Sequence, residues 1–216
     1  MDGNSSIEIR DGCVFSLIIE NKKLFRRYIG DIYAQISGND GETVLSYNGK
    51  PVLFAKNCEI IDSFPVFNIN TRKITSALTT YMERVAVNAE KYMRTSELLS
   101  KIENYIDELS LNFPLRVECG KLDAVSLIKA LQLAVADDSE CLVESVINYM
   151  AYVLEFEPKK LFLMLNMHSF FSEDEISEFV LSSQQKQMCV MMIDSTGHKK
   201  YPGMHQLIID DDLCEI

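Results

Sequence analysis

Apolar residues recur at alternating three- and four-residue steps through the middle of the chain, at Ile74, Leu78, Tyr81 and Val85 and again at Tyr92, Leu99, Ile102, Ile106, Leu109 and Phe113. That spacing lays one apolar seam along a helix. Read as a single unbroken helix of roughly 38 residues, the segment spans about 57 Å, longer than the body of a small domain can cover. It is therefore expected to project as an arm and to meet another helix. Asn70-Thr71 can cap its start, and Pro114 cannot continue it. A second seam, Leu142, Val146, Tyr149, Val153 and Phe156, repeats the same steps and predicts a partner helix, with Asp137 and Glu140 as its capping box.

The flanks carry a different pattern. Residues 13–20, CVFSLIIE, form an apolar run rich in β-branched and aromatic types, bounded by Asp11-Gly12 and Asn21, and read as a buried strand. Asn21 can cap a helix through KKLFRRYIGDIYAQI. SGNDGE is a loop, and TVLSY-NG-KPVLFA is a hairpin pattern turning at Asn48-Gly49. Asp123 can cap a helix through AVSLIKALQLAV. After Pro158, the runs Lys160–Met167 and Met188–Ile193 read as strands joined by a helix that Ser172 and Glu175 open as a capping box. A crossover of that size implies a parallel pair. His205–Ile209 predicts an edge strand. The expectation is an α/β head built from residues 1–70 and 158–216, with a helical leg, residues 71–157, inserted between its halves.

Composition narrows what such a molecule does. With 216 residues and 47% hydrophobic content the chain can bury a core. No apolar run is long enough to span a bilayer, and MDGNSSIEIRDG has neither a basic start nor an apolar h-region, so a cytoplasmic protein without a membrane role is expected. Cys13, Cys58, Cys119, Cys141, Cys189 and Cys214 are scattered, with no Cys-x-x-Cys spacing. The net charge of −11 opposes a general affinity for nucleic acid, so any DNA surface must concentrate the 21 basic residues geometrically or neutralise acidic groups with a cation.

Catalytic patterns are sparse. The first strand runs into Ile-Ile-Glu-Asn-Lys-Lys without a glycine for close backbone approach to phosphate, and the Gly-rich stretch from Ser37 to Thr43 has Glu where a P-loop needs Lys. No Gly-x-Ser-x-Gly elbow is present. His168, His198 and His205 stand apart in sequence and show no metal-ligand spacing. Met188, Met191 and Met192 read as core filling. Basic clusters are the remaining signal: Lys22, Lys23, Arg26 and Arg27 share about one and a half turns of the first helix, and Lys159-Lys160 open a strand. Glu118, Asp123 and the run Asp210 to Asp212 offer oxygens for a hard cation, or serve capping and solubility.

Several short strings, in order along nearly the whole chain, resemble the Csn-two family, the small accessory protein of type II-A CRISPR loci that takes part in acquiring new spacers. Lys159-Lys160-Leu161-Phe162-Leu163, Asn166 and Phe171-Ser172-Glu173-Asp174-Glu175-Ile176 are similar to that family's lysine-rich strand, asparagine and helix opening. Phe67-Asn68-Ile69-Asn70-Thr71 is similar to its entry into the long helix, Leu127-Ile128-Lys129-Ala130-Leu131 to its Leu-Ile/Phe-Lys-Ser/Ala-Leu string, and Leu207-Ile208-Ile209-Asp210 to its close. The resemblance implies a P-loop-NTPase-like head without nucleotide chemistry, and a non-enzymatic, ring-shaped homotetramer that binds calcium and threads double-stranded DNA from its ends. Its implied partners are the CRISPR integrase proteins and the effector nuclease. Lys129, Lys159 and Lys160 carry over as DNA contacts, joined by Lys22, Lys23, Arg26 and Arg27 from charge clustering. Glu118 carries over as a metal ligand, and Asp123 substitutes by displacement. Two other readings remain open: a helical-arm scaffold that binds a protein partner without DNA, and a divergent nucleotide hydrolase.

Overall fold

Val14–Ile19 forms β1 in the computed structural model, which describes residues 7–8, 12–118 and 120–216. Asp11 and Cys119, used above as a strand boundary and as one of the scattered thiols, lie outside the described residues, as does most of the N-terminal stretch. Every residue of β1 is buried, as a strand covered on both faces requires. Asn21 then caps α1 (Lys22–Ile36) through its side-chain oxygen. Asn48 and Gly49 adopt positive φ between β2 (Ser46–Tyr47) and β3 (Lys50–Pro51), an antiparallel pair of only two residues per strand. The following Leu53-Phe54-Ala55 does not extend the hairpin. Phe54 is buried at the start of a short helix, α2 (Phe54–Asn57), which leads into β4 (Cys58–Ile61), a strand the sequence reading did not name.

The long seam is broken. It forms α3 (Arg72–Ala86), capped by Thr71, and α4 (Tyr92–Ser110), separated at residues 87–91. The reason is visible in the pattern itself: between Val85 and Tyr92 the seam skips a beat, and the vacant step holds Asn88 and Ala89. Asn88 accepts the Lys91 N–H on its side chain at 2.8 Å, offering the backbone a turn in place of another helical bond. Thr95 donates back to the Ala86 carbonyl at 2.8 Å, fastening the junction. Asp123 caps α5 (Ala124–Ala130) as expected, but α5 stops well before Val135, and Gln132 adopts positive φ just beyond it.

Then comes α6 (Leu142–Phe156), whose N-cap is Cys141 rather than Asp137. No capping box forms there, because Glu144 reaches back to the Glu140 N–H instead. β5 (Leu161–Leu165), α7 (Glu173–Gln185), β6 (Cys189–Asp194) and β7 (Met204–Ile209) complete the described chain, with the Ser172–Glu175 capping box present on α7. The large sheet has the order β4-β5-β6-β1-β7 and is parallel throughout. One face buries Leu17, Ile19, Leu163, Leu165, Met191 and Ile193 with Ile32 and Phe54. Alternate residues, among them Phe162, Met164, Val190 and Met192, are buried as well, as expected of a sheet with two covered faces.

The chain divides into two compact units, residues 1–68 with 138–216, and residues 69–137. Helix α6, assigned above to the leg, lies in the first unit. Its buried residues Val143, Val146, Ile147, Tyr149, Met150 and Val153 cover far more than one seam, and α6 packs on α7. The Tyr149 hydroxyl donates to Glu59 of β4 at 2.6 Å, and its ring meets Phe67 edge-on. In the second unit α3 packs on α5, and the Asn70 side chain exchanges two hydrogen bonds with the backbone of Val135.

Candidate functional site

Lys22, Lys23, Arg26 and Arg27 are all exposed on α1, on adjacent turns, as positions one, two, five and six of a helix must be. Lys159 is exposed at a left-handed backbone position, and its ammonium lies over the Tyr47 ring at 5.3 Å. Lys160 differs. It is 5% exposed, and its Nζ donates to the Lys56 carbonyl at 2.6 Å and forms an ion pair with Glu157 at 2.8 Å. A buried ammonium so engaged ties the segment before β5 to α2 rather than presenting charge to a polyanion. Beside it, burial pushes the Cys58 thiol up to about 12, although Lys160 pulls the other way. Arg27, Lys159 and Lys160 border one cavity of about 890 Å³ in the first unit, together with Tyr28 and Asp31. Lys129 belongs to the second unit, exposed, with its Nζ 3.8 Å from Glu83.

Asp31 anchors the loop that the sequence left unstructured. Its carboxylate accepts the N–H groups of Glu42 and Thr43 at 2.8 and 2.9 Å, and Gln35 at 3.0 Å. Partial burial pushes its pKa up, but these hydrogen bonds win and hold it below the usual carboxylate value.

The two acidic candidates serve local structure. Glu118 pairs with Arg116 at 3.1 Å, and Asp123 accepts the Ser126 N–H at 2.7 Å. Calcium takes six to eight oxygens. Among the described residues, neither acid joins a group of three close His, Cys, Asp or Glu side chains.

The group of three that does form is His168, Asp194 and His198. Asp194 ends β6, His168 sits on the turn Met167–Ser169 after β5, and His198 follows β6. Asn166, at positive φ, donates its N–H to the Ile193 carbonyl at 2.9 Å, which binds the exit of β5 to that of β6. His168 Nδ1 and His198 Nε2 lie 3.1 and 3.3 Å from the same Asp194 oxygen, and the two rings stack at 3.5 Å. Burial alone would raise the Asp194 pKa, yet the two imidazoles hold it below the ordinary value. The sequence reading took these histidines as isolated. Residue 168 reaches 194 only through the β5–β6 pairing, and the one local hint was the four-residue step from Asp194 to His198 at a strand end.

At the start of α1, Asn21 Oδ1 accepts the N–H groups of Lys23 and Leu24 at 3.1 and 3.0 Å. In an α/β sheet, a helix N-terminus after a strand is where phosphate is cradled. Here those amides are already occupied.

A parallel α/β unit carrying an inserted helical unit defines the class. Residues 35–213 match the family described as CRISPR-associated protein (Cas_Csn2), and the chain belongs to that family. Among solved structures it is similar to one titled "Crystal structure of Stu0660 of Streptococcus thermophilus", with a TM-score of 0.53 and 10% identity over 88% of this chain. The chain spans 66% of the length of that structure. Residues 22–27, with their four cations, precede the part matched to the family.

Proposed function

We propose that the protein is a non-catalytic, double-stranded DNA end-binding protein that closes into a ring-shaped tetramer and acts in spacer acquisition at type II-A CRISPR loci. The family match over residues 35–213 carries this reading. Two structural features support it. Helix α4 has no buried residue, and Tyr92, Met93, Leu98, Tyr105 and Leu109 are each at least half exposed, an apolar surface suited to assembly between chains. The capped start of α1 and its missing glycines suit a head related to P-loop NTPases that has given up phosphate transfer. The DNA-facing set is Lys22, Lys23, Arg26, Arg27, Lys129 and Lys159. Lys160 is removed from it, because its ammonium is buried. Contacts would reach phosphates rather than base edges, so binding is sequence-independent.

A gel shift on linear duplex and on a covalently closed circle of the same sequence tests the reading, with and without calcium ions. Binding to the linear form that vanishes on the circle is expected; equal binding to both contradicts threading. Reversing Lys22, Lys23, Arg26 and Arg27 to Glu should weaken the linear complex and flatten its salt dependence. The open face of α4 also favours a scaffold reading, in which that charge reversal leaves the functional interaction intact.

A further inference from the structure

We propose that His168, Asp194 and His198 form a three-ligand site for a zinc-class divalent cation at the carboxyl end of the parallel sheet. The donor set is two imidazoles and one carboxylate, a chemistry that suits zinc and its neighbours rather than calcium or magnesium. Spacing agrees with that chemistry. Two ligands held at about 2.0–2.1 Å by one tetrahedral ion lie about 3.3 Å apart. Asp194 Oδ2 is 3.1 Å from His168 Nδ1 and 3.3 Å from His198 Nε2, and all three donor atoms fall within 4.8 Å of one another.

Protons alone leave this cluster poorly satisfied. His198 Nε2, one of the three donor atoms, is buried beside the carboxylate without a hydrogen bond of ordinary geometry. A single carboxylate oxygen facing two stacked rings can balance only one imidazolium charge. A divalent ion would engage both rings and the carboxylate at once.

The backbone of the site is held in place before any ion arrives, and the stacked rings, whose nitrogens bind a metal in their own planes, swing apart to share it. Asp194 is 3% exposed by side chain and both histidines are 12% exposed. The Asn166–Ile193 hydrogen bond fixes the β5 exit, Gln206 donates to the His198 carbonyl at 3.3 Å, and buried Tyr201 lies 6.1 Å from the His168 ring. Three protein ligands leave a fourth position for water. Bound metal would tie the exits of β5 and β6 to the loop carrying His198, a stabilising role independent of DNA binding.

The test uses the full chain, free of any histidine tag and stripped with chelator, titrated with cobalt(II) and then with zinc(II). One cobalt per chain, a visible band of tetrahedral intensity, its loss on adding zinc, and a rise in Tm with zinc are expected; calcium should cause none of these. His198→Ala should weaken binding by at least about 100-fold, the upper end of what losing a mere supporting partner costs. His205→Ala, on the edge strand, should change nothing. Because Asp194→Asn risks misfolding, His198→Gln serves as the milder variant. Absence of cobalt binding to the native chain, or unchanged stoichiometry in His168→Ala/His198→Ala, overturns the proposal.

Discussion

Helices α6 and α4 carry the same heptad spacing and meet opposite fates. In α6 six residues are buried; in α4 none is. The pattern states that a face is apolar, and the remaining positions decide whether the chain's own fold covers it. Apart from Glu144 and Glu155, α6 has no charged residue, whereas α4 interleaves its stripe with Arg94, Glu97, Lys101, Glu103, Asp107 and Glu108. A helix apolar on most sides belongs in a core, and one with a single stripe can sit at a surface. The units repeat the contrast: among the described residues of 69–137 the buried apolar ones are Ile69, Ile74 and Ala124, while in the sheet unit β1, β5 and β6 bury every residue except Leu161 and Cys189.

Substitutions can break or sharpen this contrast. Met150→Ala in α6, at 0% exposure, should cost about 2–5 kcal/mol in urea unfolding, the range for emptying a packed core position. A loss below about 1 kcal/mol would mean that α6 is not the covered helix. Asn21→Ala and Ser172→Ala remove caps from the sheet unit and should each lower stability by about 1 kcal/mol in the same assay. A smaller effect is expected from Asp31. Its folded pKa is depressed, so its contribution is present above the unfolded value of about 3.9 and is lost as pH falls through the folded value. Asp31→Asn should therefore flatten that acid limb of Tm against pH. Leu98→Ser with Leu109→Ser, two exposed apolar residues of α4, should shift the stability of a single chain by less than about 0.5 kcal/mol.

Much of the fold was legible because local chemistry and tertiary demand agree. Asn21 caps α1, Ser172 and Glu175 box α7, and Asn48-Gly49 turn a hairpin, each from side-chain chemistry confined to a few residues. The failures occurred where a nearby competitor was weighed too lightly. Asn88 turns the chain in the gap of the seam, and Glu144 takes the Glu140 N–H that a capping box would have ordered. Lys160 read as surface charge because the Lys56 carbonyl, 104 positions away, becomes its neighbour only when β4 pairs with β5, and its other partner, Glu157, three residues before it, was overlooked. The His168–Asp194–His198 group was hidden for the same reason, since strand order is a property of the whole sheet. Spacing along the chain records only the four-residue step from Asp194 to His198.

The central claim is that the exposed apolar residues of α4 join copies of this chain. Sedimentation velocity of the full chain beside its Leu98→Ser/Leu109→Ser variant, across a range of concentrations, tests it directly. The account predicts a native species of four chains and a variant that falls toward one. A native chain that stays monomeric at every concentration, or a variant that assembles as the native chain does, would contradict it.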